Sequence, residues 1–244
     1  IATEFISGES VLDRMKRLGP LSEYEATQVA LKVTEIADNL HSRENPILLN
    51  GLSLDNILFD MSGESETIVL RNLINVRFFN DSFKLKYIDG VSVYSLATEC
   101  FNDVFTPKTD QYNIGALLYQ MLTGVPPFIQ NNDFSIKNSE DIGDLINLRS
   151  TKIVTFPKQF DAHLKYIIIK TLHENSDERF MSLATLRLYL KREKKFNITT
   201  PKKDIESTGK RKTGNGFKDI AGMHSLKSQL KEQIIDVINR PEHF

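Results

Sequence analysis

The chain has 244 residues, of which 40% are hydrophobic and 26% are charged, a balance typical of globular proteins and not of disordered or fibrous ones. Its formal net charge of -1 gives no general attraction to nucleic acid or to an anionic membrane, so neither is an expected partner. The single cysteine, Cys100, excludes an internal disulfide and a cysteine-based zinc site. No apolar run approaches the roughly 20 residues that cross a bilayer, and we expect a cytoplasmic protein in a reducing compartment.

The first clear helix signal lies between residues 22 and 41. Ser22 followed by Glu25 three positions later is a capping box. Apolar residues then recur at helical spacing up to His41, at Val29, Val33, Ile36, Ala37 and Leu40. The pattern predicts an amphipathic helix, which by itself indicates no more than a helix packed on a core.

Two short apolar stretches follow this helix. The first, residues 47–59, reads ILLNGLSLDNILF, and the second, residues 68–77, reads IVLRNLINVR. The β-branched start of the second stretch predicts a strand.

The longest apolar helix pattern begins at Thr106 and reads TPKTDQYNIGALLYQMLTGVPPF. Pro107 suits the first turn of a helix, and Gly124 with Pro126 predicts its end. Because apolar side chains cover most of its circumference, we expect this helix to be buried at the centre of the domain. Helical spacing returns around residues 141–148, 164–172 and 183–190, and these helices end near Lys195.

The segment from Asp110 to Phe128 resembles the central helix of a protein-kinase C-lobe and the turn after it, where the family pattern is close to SDxYSLGxxLYELLTGxPPF. In the same register Glu4 and Phe5 fall on the kinase hinge. The resemblance spans about residues 3–195 and implies a domain over residues 1–195 that is mainly α with a few short β-strands. It also implies an N-lobe upstream of Ile1, which this chain lacks.

The same alignment places degenerate residues in the catalytic loop. Leu49, Asn50 and Gly51 fall on the His-Arg-Asp triplet, and Ser53 falls on the lysine that faces the transferred phosphate. In kinases the aspartate accepts the proton of the substrate hydroxyl, and Gly51 has no side chain for that task. The resemblance therefore predicts no catalytic residue at Gly51, Ser53 or Asn72.

Asn72 falls on the aspartate of the Asp-Phe-Gly triplet, and Ile74 falls on its glycine. The aspartate of that triplet holds Mg²⁺ against the phosphates of ATP, whereas Asn72 offers a neutral oxygen. With Asn56 it would form a metal site that lacks a carboxylate, so we expect weak Mg²⁺ binding or none. If ATP binds, the resemblance implies contacts from Glu4, Phe5, Asn56 and Asn72.

Residues that hold the kinase fold together are present. Glu99 falls on the glutamate of Ala-Pro-Glu, and Arg179 falls on the arginine that pairs with it. Asp110 falls on the aspartate that caps the central helix and binds the catalytic-loop backbone. By this alignment, the chain has the family's residues at the structural positions and different residues at the catalytic and metal-binding positions.

The composition changes after residue 195. Residues 196–216 have no apolar periodicity and collect Lys, Thr, Gly and Pro, which predicts a flexible linker. Residues 217–244 carry an amphipathic helix pattern and resemble the start of an AAA-family ATPase module, FxDIAGxxxxKxxLxExIxxPxxxPExF. The resemblance puts Ile220, Ala221 and Gly222 beside the adenine of that module, and no phosphate-binding loop occurs before Phe244.

Three functions are compatible with this pattern. The first is a catalytically impaired kinase domain, a pseudokinase, that docks or regulates an AAA ATPase module in cis, in a parent protein that is an ATPase and can oligomerise through that module. The second is a divergent ATP-dependent Ser/Thr kinase that uses another carboxylate, Asp55 or Asp60. The third is a sensor that binds ATP without phosphate transfer. The sequence does not identify a protein partner.

Overall fold

The computed structural model describes residues 6–85, 93–128, 143, 146, 149, 154–157 and 160–195. The chain divides into two compact units, residues 1–197 and 198–244, and every described residue belongs to the first. The hinge candidates Glu4 and Phe5 lie outside the described residues, as does the predicted linker. The AAA-like turn of Ile220, Ala221 and Gly222 and most of the helix predicted over residues 141–148 also lie outside them.

The helices begin and end where local signals favour it. They are α1 (Val11–Leu18), α2 (Glu23–His41), α3 (Pro107–Thr123), α4 (Ala162–Thr171) and α5 (Leu183–Leu190). The predicted capping box starts α2: the Ser22 hydroxyl accepts from the Glu25 amide at 3.2 Å, and the Glu25 carboxylate accepts from the Ser22 amide at 3.2 Å. Thr106 caps α3 ahead of Pro107, and Gly124 ends it at φ 81°, a backbone angle that favours glycine.

The strands are short and form two small antiparallel sheets. Strands β1 (Gly8–Ser10), β3 (Ile57–Asp60) and β4 (Thr67–Leu70) make one sheet in the order β1-β3-β4, and β2 (Ile47–Leu48) pairs with β5 (Arg77–Phe78). In the β3–β4 hairpin Asp60 faces Thr67 and Ile57 faces Leu70. The predicted fold, mainly helical with a few short strands, is confirmed for the described residues. None of the helices in these ranges is long and apolar enough to cross a bilayer.

Helix α3 lies at the centre of the core, packed between α2 and α4. Its residues Tyr112, Leu117 and Leu118 are buried. Gly115 allows the close approach of α4, because a Cβ at this position would lie 2.0 Å from the Thr171 hydroxyl oxygen. The prediction that this helix is buried is confirmed, since residues Thr109 to Tyr119 and Met121 are all buried.

The three-stranded sheet is attached to the helices by Arg14 of α1. Its guanidinium lies 3.5 Å from the centre of the Phe59 ring, and it donates to Glu9 at 2.9 Å and to Glu66 at 3.2 Å. Arg14 and Arg17 both donate to Glu9, and these hydrogen bonds lower the pKa of the Glu9 carboxyl. The cluster therefore fixes the orientation of β3, from which the adjoining loop runs.

Candidate functional site

The loop between β2 and β3 has an unusual backbone at its centre. Asn50 has φ 53° and Gly51 has φ 100°. Asparagine is among the residues that tolerate the left-handed region, whereas φ near 100° lies beyond it and favours glycine. The residues found at positions 50 and 51 are therefore suited to the loop path itself, apart from any chemistry.

Asp110, in the first turn of α3, holds this loop by its main chain. Its buried carboxylate accepts hydrogen bonds from the Leu49 amide at 2.8 Å and from the Asn50 amide at 2.9 Å. The same carboxylate lies 2.9 Å from Nε2 of His41, the last residue of α2. One side chain therefore ties two loop amides to the end of α2.

Asn113, one turn further along α3, holds the next part of the loop. Its side-chain oxygen accepts from the Leu52 amide at 2.9 Å, and its side-chain nitrogen donates to the Leu52 carbonyl at 3.2 Å. That nitrogen also lies 3.2 Å from the Ser95 carbonyl. The loop and the segment before residue 97 are thus both attached to α3.

The loop brings no carboxylate to position 51, and the two alternative aspartates lie elsewhere. Asp55 is half-buried, and its carboxylate accepts a hydrogen bond from Arg71 at 3.1 Å. Asp60 lies at the far end of the β3–β4 hairpin from Asn56 and Asn72, roughly 13 Å along the strand from Asn56. Its carboxylate accepts from the Ser62 amide at 3.0 Å.

Asn56 uses its side-chain oxygen inside the loop. This oxygen accepts from the Ser53 amide at 3.0 Å and from the Ser53 hydroxyl at 2.9 Å. The Asn56 side chain is also largely buried. Both lone pairs of the oxygen are therefore engaged by Ser53.

Asn72 lies at the end of β4 with φ 53° and is exposed. Of the three residues aligned with Asp-Phe-Gly, Asn72 has a positive φ and Ile74 does not. Within the described ranges no group of three or more His, Cys, Asp or Glu side chains could hold a metal ion. Because Mg²⁺ prefers anionic oxygen and Asn56 is already engaged, the described residues aligned with the metal positions do not fit Mg²⁺.

Glu99 and Arg179 meet in a bidentate ion pair although 80 residues separate them. The two contacts measure 2.6 and 3.0 Å. The remaining N–H groups of Arg179 donate to the carbonyls of Lys108, His173 and Glu174. All five guanidinium donors are therefore used, and the Arg179 side chain has no exposed surface.

Arg149 binds the segment before residue 97, a contact that the sequence pattern does not indicate. Its guanidinium donates to the carbonyls of Leu96 at 2.6 Å, Val93 at 2.9 Å and Tyr94 at 3.0 Å. A lone arginine in a region without clear periodicity carries no signal for such a contact. The same is true of Asn113 and His41, because the residues they bind are distant in sequence.

Cys100 is the one thiol and lies next to Glu99. Burial, with a smaller effect from the Glu99 charge, raises the pKa of this thiol to about 12. The thiol is therefore protonated at neutral pH and is a poor nucleophile.

Comparison with known proteins places this architecture in a family. The protein kinase domain family matches residues 1–188. Calcium-dependent protein kinase SK5 from Glycine max is 26% identical over 187 residues, which are 77% of this chain and 35% of the relative. Protein kinase 2 from Dictyostelium discoideum is 30% identical over 135 residues, 53% of this chain and 26% of the relative.

Mitogen-activated protein kinase kinase kinase 8 from Rattus norvegicus is 28% identical over 123 residues, 50% of this chain and 25% of the relative. The chain thus spans about a quarter to a third of the length of these three relatives. Because the family match covers residues 1–188 of 244, and the helices and hairpins have a kinase-like arrangement, the chain belongs to the protein kinase domain family.

Proposed function

We propose that this chain is a catalytically impaired protein kinase domain that serves as a docking or regulatory module of an AAA ATPase. The observation that carries the proposal is Gly51, which stands at the position of the catalytic aspartate in a loop with φ 100° at that residue. Two scaffold contacts support it, because Asp110 holds the loop and Arg179 binds Glu99 as the resemblance implies.

The metal-binding positions support the same proposal. Protein kinases in general use ATP with Mg²⁺, and here the aligned residues are Asn56, whose oxygen is engaged by Ser53, and the neutral Asn72. A site of this composition attracts a hard dication weakly. We therefore propose that any ATP bound by the chain is bound with little help from Mg²⁺.

A regulatory role rests further on the AAA-like pattern of residues 217–244. A kinase domain joined to such a module can transmit a binding event to it through the linker of residues 196–216. In this proposal the parent protein is an ATPase that oligomerises through the AAA module, and the protein partner is unidentified.

The test is phosphate transfer by the parent protein after its ATPase site has been disabled by replacing the lysine of the phosphate-binding loop. Incubation with γ-labelled ATP and generic Ser/Thr substrates is expected to transfer no label above a no-enzyme control. Labelling of the protein itself or of a substrate would overturn the proposal. If labelling occurs and Asp55→Asn abolishes it while Asp60→Asn does not, the divergent kinase with Asp55 as its base becomes the better assignment.

The nucleotide sensor is distinguished by binding rather than by transfer. Calorimetric titration of ATP into the parent chain, with its N-lobe and without its AAA module, is expected to give no heat for a scaffold and Mg²⁺-independent heat for a sensor. Substitution of Glu4 and Phe5 at the hinge should remove the heat only in the sensor case. Strong Mg²⁺-dependent binding would instead require a carboxylate ligand and would count against catalytic impairment.

A further inference from the structure

A cavity of about 260 Å³ opens beside the loop, between β5 and the turn that follows the short 3₁₀ helix Thr98–Asn102. Four phenylalanines line this aromatic cavity: Phe78, Phe79, Phe83 and Phe105. Phe83 and Phe105 pack edge to face with their ring centres 4.9 Å apart, whereas Phe78 and Phe79 are 52% and 42% exposed. Exposed aromatic rings beside an open cavity provide faces for a flat or cationic group.

Two carboxylates also line the aromatic cavity. The Asp81 amide donates to the Phe78 carbonyl at 3.0 Å, which fixes the turn that carries Asp81. Asp103 has φ 59°, and its Oδ1 accepts from the Leu85 amide at 2.7 Å. Neither carboxylate forms an ion pair with a Lys, Arg or His in the described part of the chain, although Lys84 lines the same cavity.

The wall of the cavity contains a further acceptor. Asn50 is 2% exposed and lines the cavity. Its side-chain nitrogen donates to the Asn75 carbonyl at 3.0 Å, while its side-chain oxygen has no donor among the residues that the structure describes. Two carboxylates and a buried amide oxygen around aromatic rings together favour a ligand that is cationic and rich in N–H groups.

We propose that the aromatic cavity binds an arginine side chain of a partner protein. A guanidinium is flat, stacks on aromatic rings and carries five N–H donors in a fork that suits carboxylates. Within the chain, the Arg77 guanidinium already lies 5.5 Å from the centre of the Phe83 ring. The volume lies just below the roughly 300–1,000 Å³ of small-molecule pockets, which fits one long side chain. This proposal goes beyond the proposed function, because the cavity can bind arginine whether or not the domain transfers phosphate.

The test is an NMR titration of the ¹⁵N-labelled 244-residue chain with N-acetyl-arginine amide. N-acetyl-citrulline amide, which has nearly the same shape but no charge, is the matched control. Saturable shifts are expected for the Asn50 side-chain amide and for the backbone amides of Phe78 and Asp81. We expect the citrulline compound to bind at least about tenfold more weakly, as loss of a charge-assisted pair predicts.

Two variants test the carboxylates without changing the shape of the site. Asp103→Asn keeps the acceptor for the Leu85 amide and a residue that tolerates φ 59°, and Asp81→Asn keeps the side-chain size. Each should weaken arginine binding by roughly threefold to tenfold. Asp177→Asn, on the exposed turn Ser176–Glu178 that does not line the cavity, should leave it unchanged. Equal affinity for the arginine and citrulline compounds would overturn the proposal, as would no saturable shift or an equal loss in the Asp177 variant.

Discussion

Replacing Arg179 by alanine is the most informative perturbation of the scaffold. The substitution removes five hydrogen bonds and leaves Glu99 without its partner. Three carbonyls, those of Lys108, His173 and Glu174, also lose a donor. Because the Arg179 side chain is completely buried and Glu99 is only 21% exposed, solvent screens the pair weakly, and the expected loss is about 3–5 kcal/mol of unfolding free energy.

This loss can be measured by urea unfolding and by thermal unfolding of the same variant. For a domain of this size, 1 kcal/mol corresponds to about 2–4 °C in Tm, so the expected decrease is roughly 6–20 °C. Arg179→Lys keeps the charge but has three donors instead of five, and we expect a smaller loss of about 2–3 kcal/mol. Glu99→Gln, which keeps one acceptor oxygen, should fall in a similar range.

Arg187→Ala is the matched control for a partly exposed arginine that lies beside one carboxylate at a longer distance. Its guanidinium lies 3.7 Å from Asp38, and its side chain is 35% exposed. Such pairs contribute about 1 kcal/mol or less. If Arg179→Ala lowered the unfolding free energy no more than Arg187→Ala does, one conclusion would be refuted. This is the conclusion that Arg179 joins Glu99 to the turn between α4 and α5.

Three further predictions concern the loop and the thiol. Gly51→Asp should not restore label transfer in the kinase assay, and label transfer by this variant would contradict the prediction. It should also lower the unfolding free energy in urea by about 1–3 kcal/mol, because φ 100° strains any residue with a Cβ. Asp110→Asn should speed hydrogen exchange at the Leu49 and Asn50 amides, because it replaces a charged acceptor by a neutral one; unchanged exchange would show that the loop is held by other groups. Burial raises the pKa of the Cys100 thiol from 9.0 to about 12, so the stability that this protonated thiol contributes is complete below pH 9. Between pH 9 and 12 the unfolding free energy should fall by about 1.4 kcal/mol per pH unit. In urea unfolding, the free energy of wild type should therefore fall more steeply with pH than that of Cys100→Ala, and equal slopes would contradict the raised pKa.

Elements with strong local signals could be predicted from the sequence. The capping box at Ser22 and Glu25 and the start and end of α3 at Pro107 and Gly124 all rest on contacts between near neighbours. The register of the kinase resemblance also pairs Glu99 with Arg179, which form the bidentate ion pair in the structure. In each case either a local pattern or a long alignment supplied the information.

Other features depend on contacts that no local pattern encodes. Arg14 gathers Glu9 and Glu66 from different elements, and Arg149 binds three carbonyls of residues 93–96. Ile74 replaces the glycine of the Asp-Phe-Gly triplet, and among these three residues it is Asn72 that has a positive φ. Backbone angles at a loop are set by the elements around it, which a comparison of residue types does not show.

The contacts of Asp110 affect which substitutions the loop can accept during evolution. This carboxylate binds the amides of Leu49 and Asn50, not their side chains, and every amino acid except proline presents the same N–H group. The residue at position 49 can therefore be exchanged while the main chain keeps its course, whereas position 50, at φ 53°, also requires a residue that tolerates the left-handed region. A kinase domain built in this way can lose its chemistry one side chain at a time and still present an intact surface to its partners.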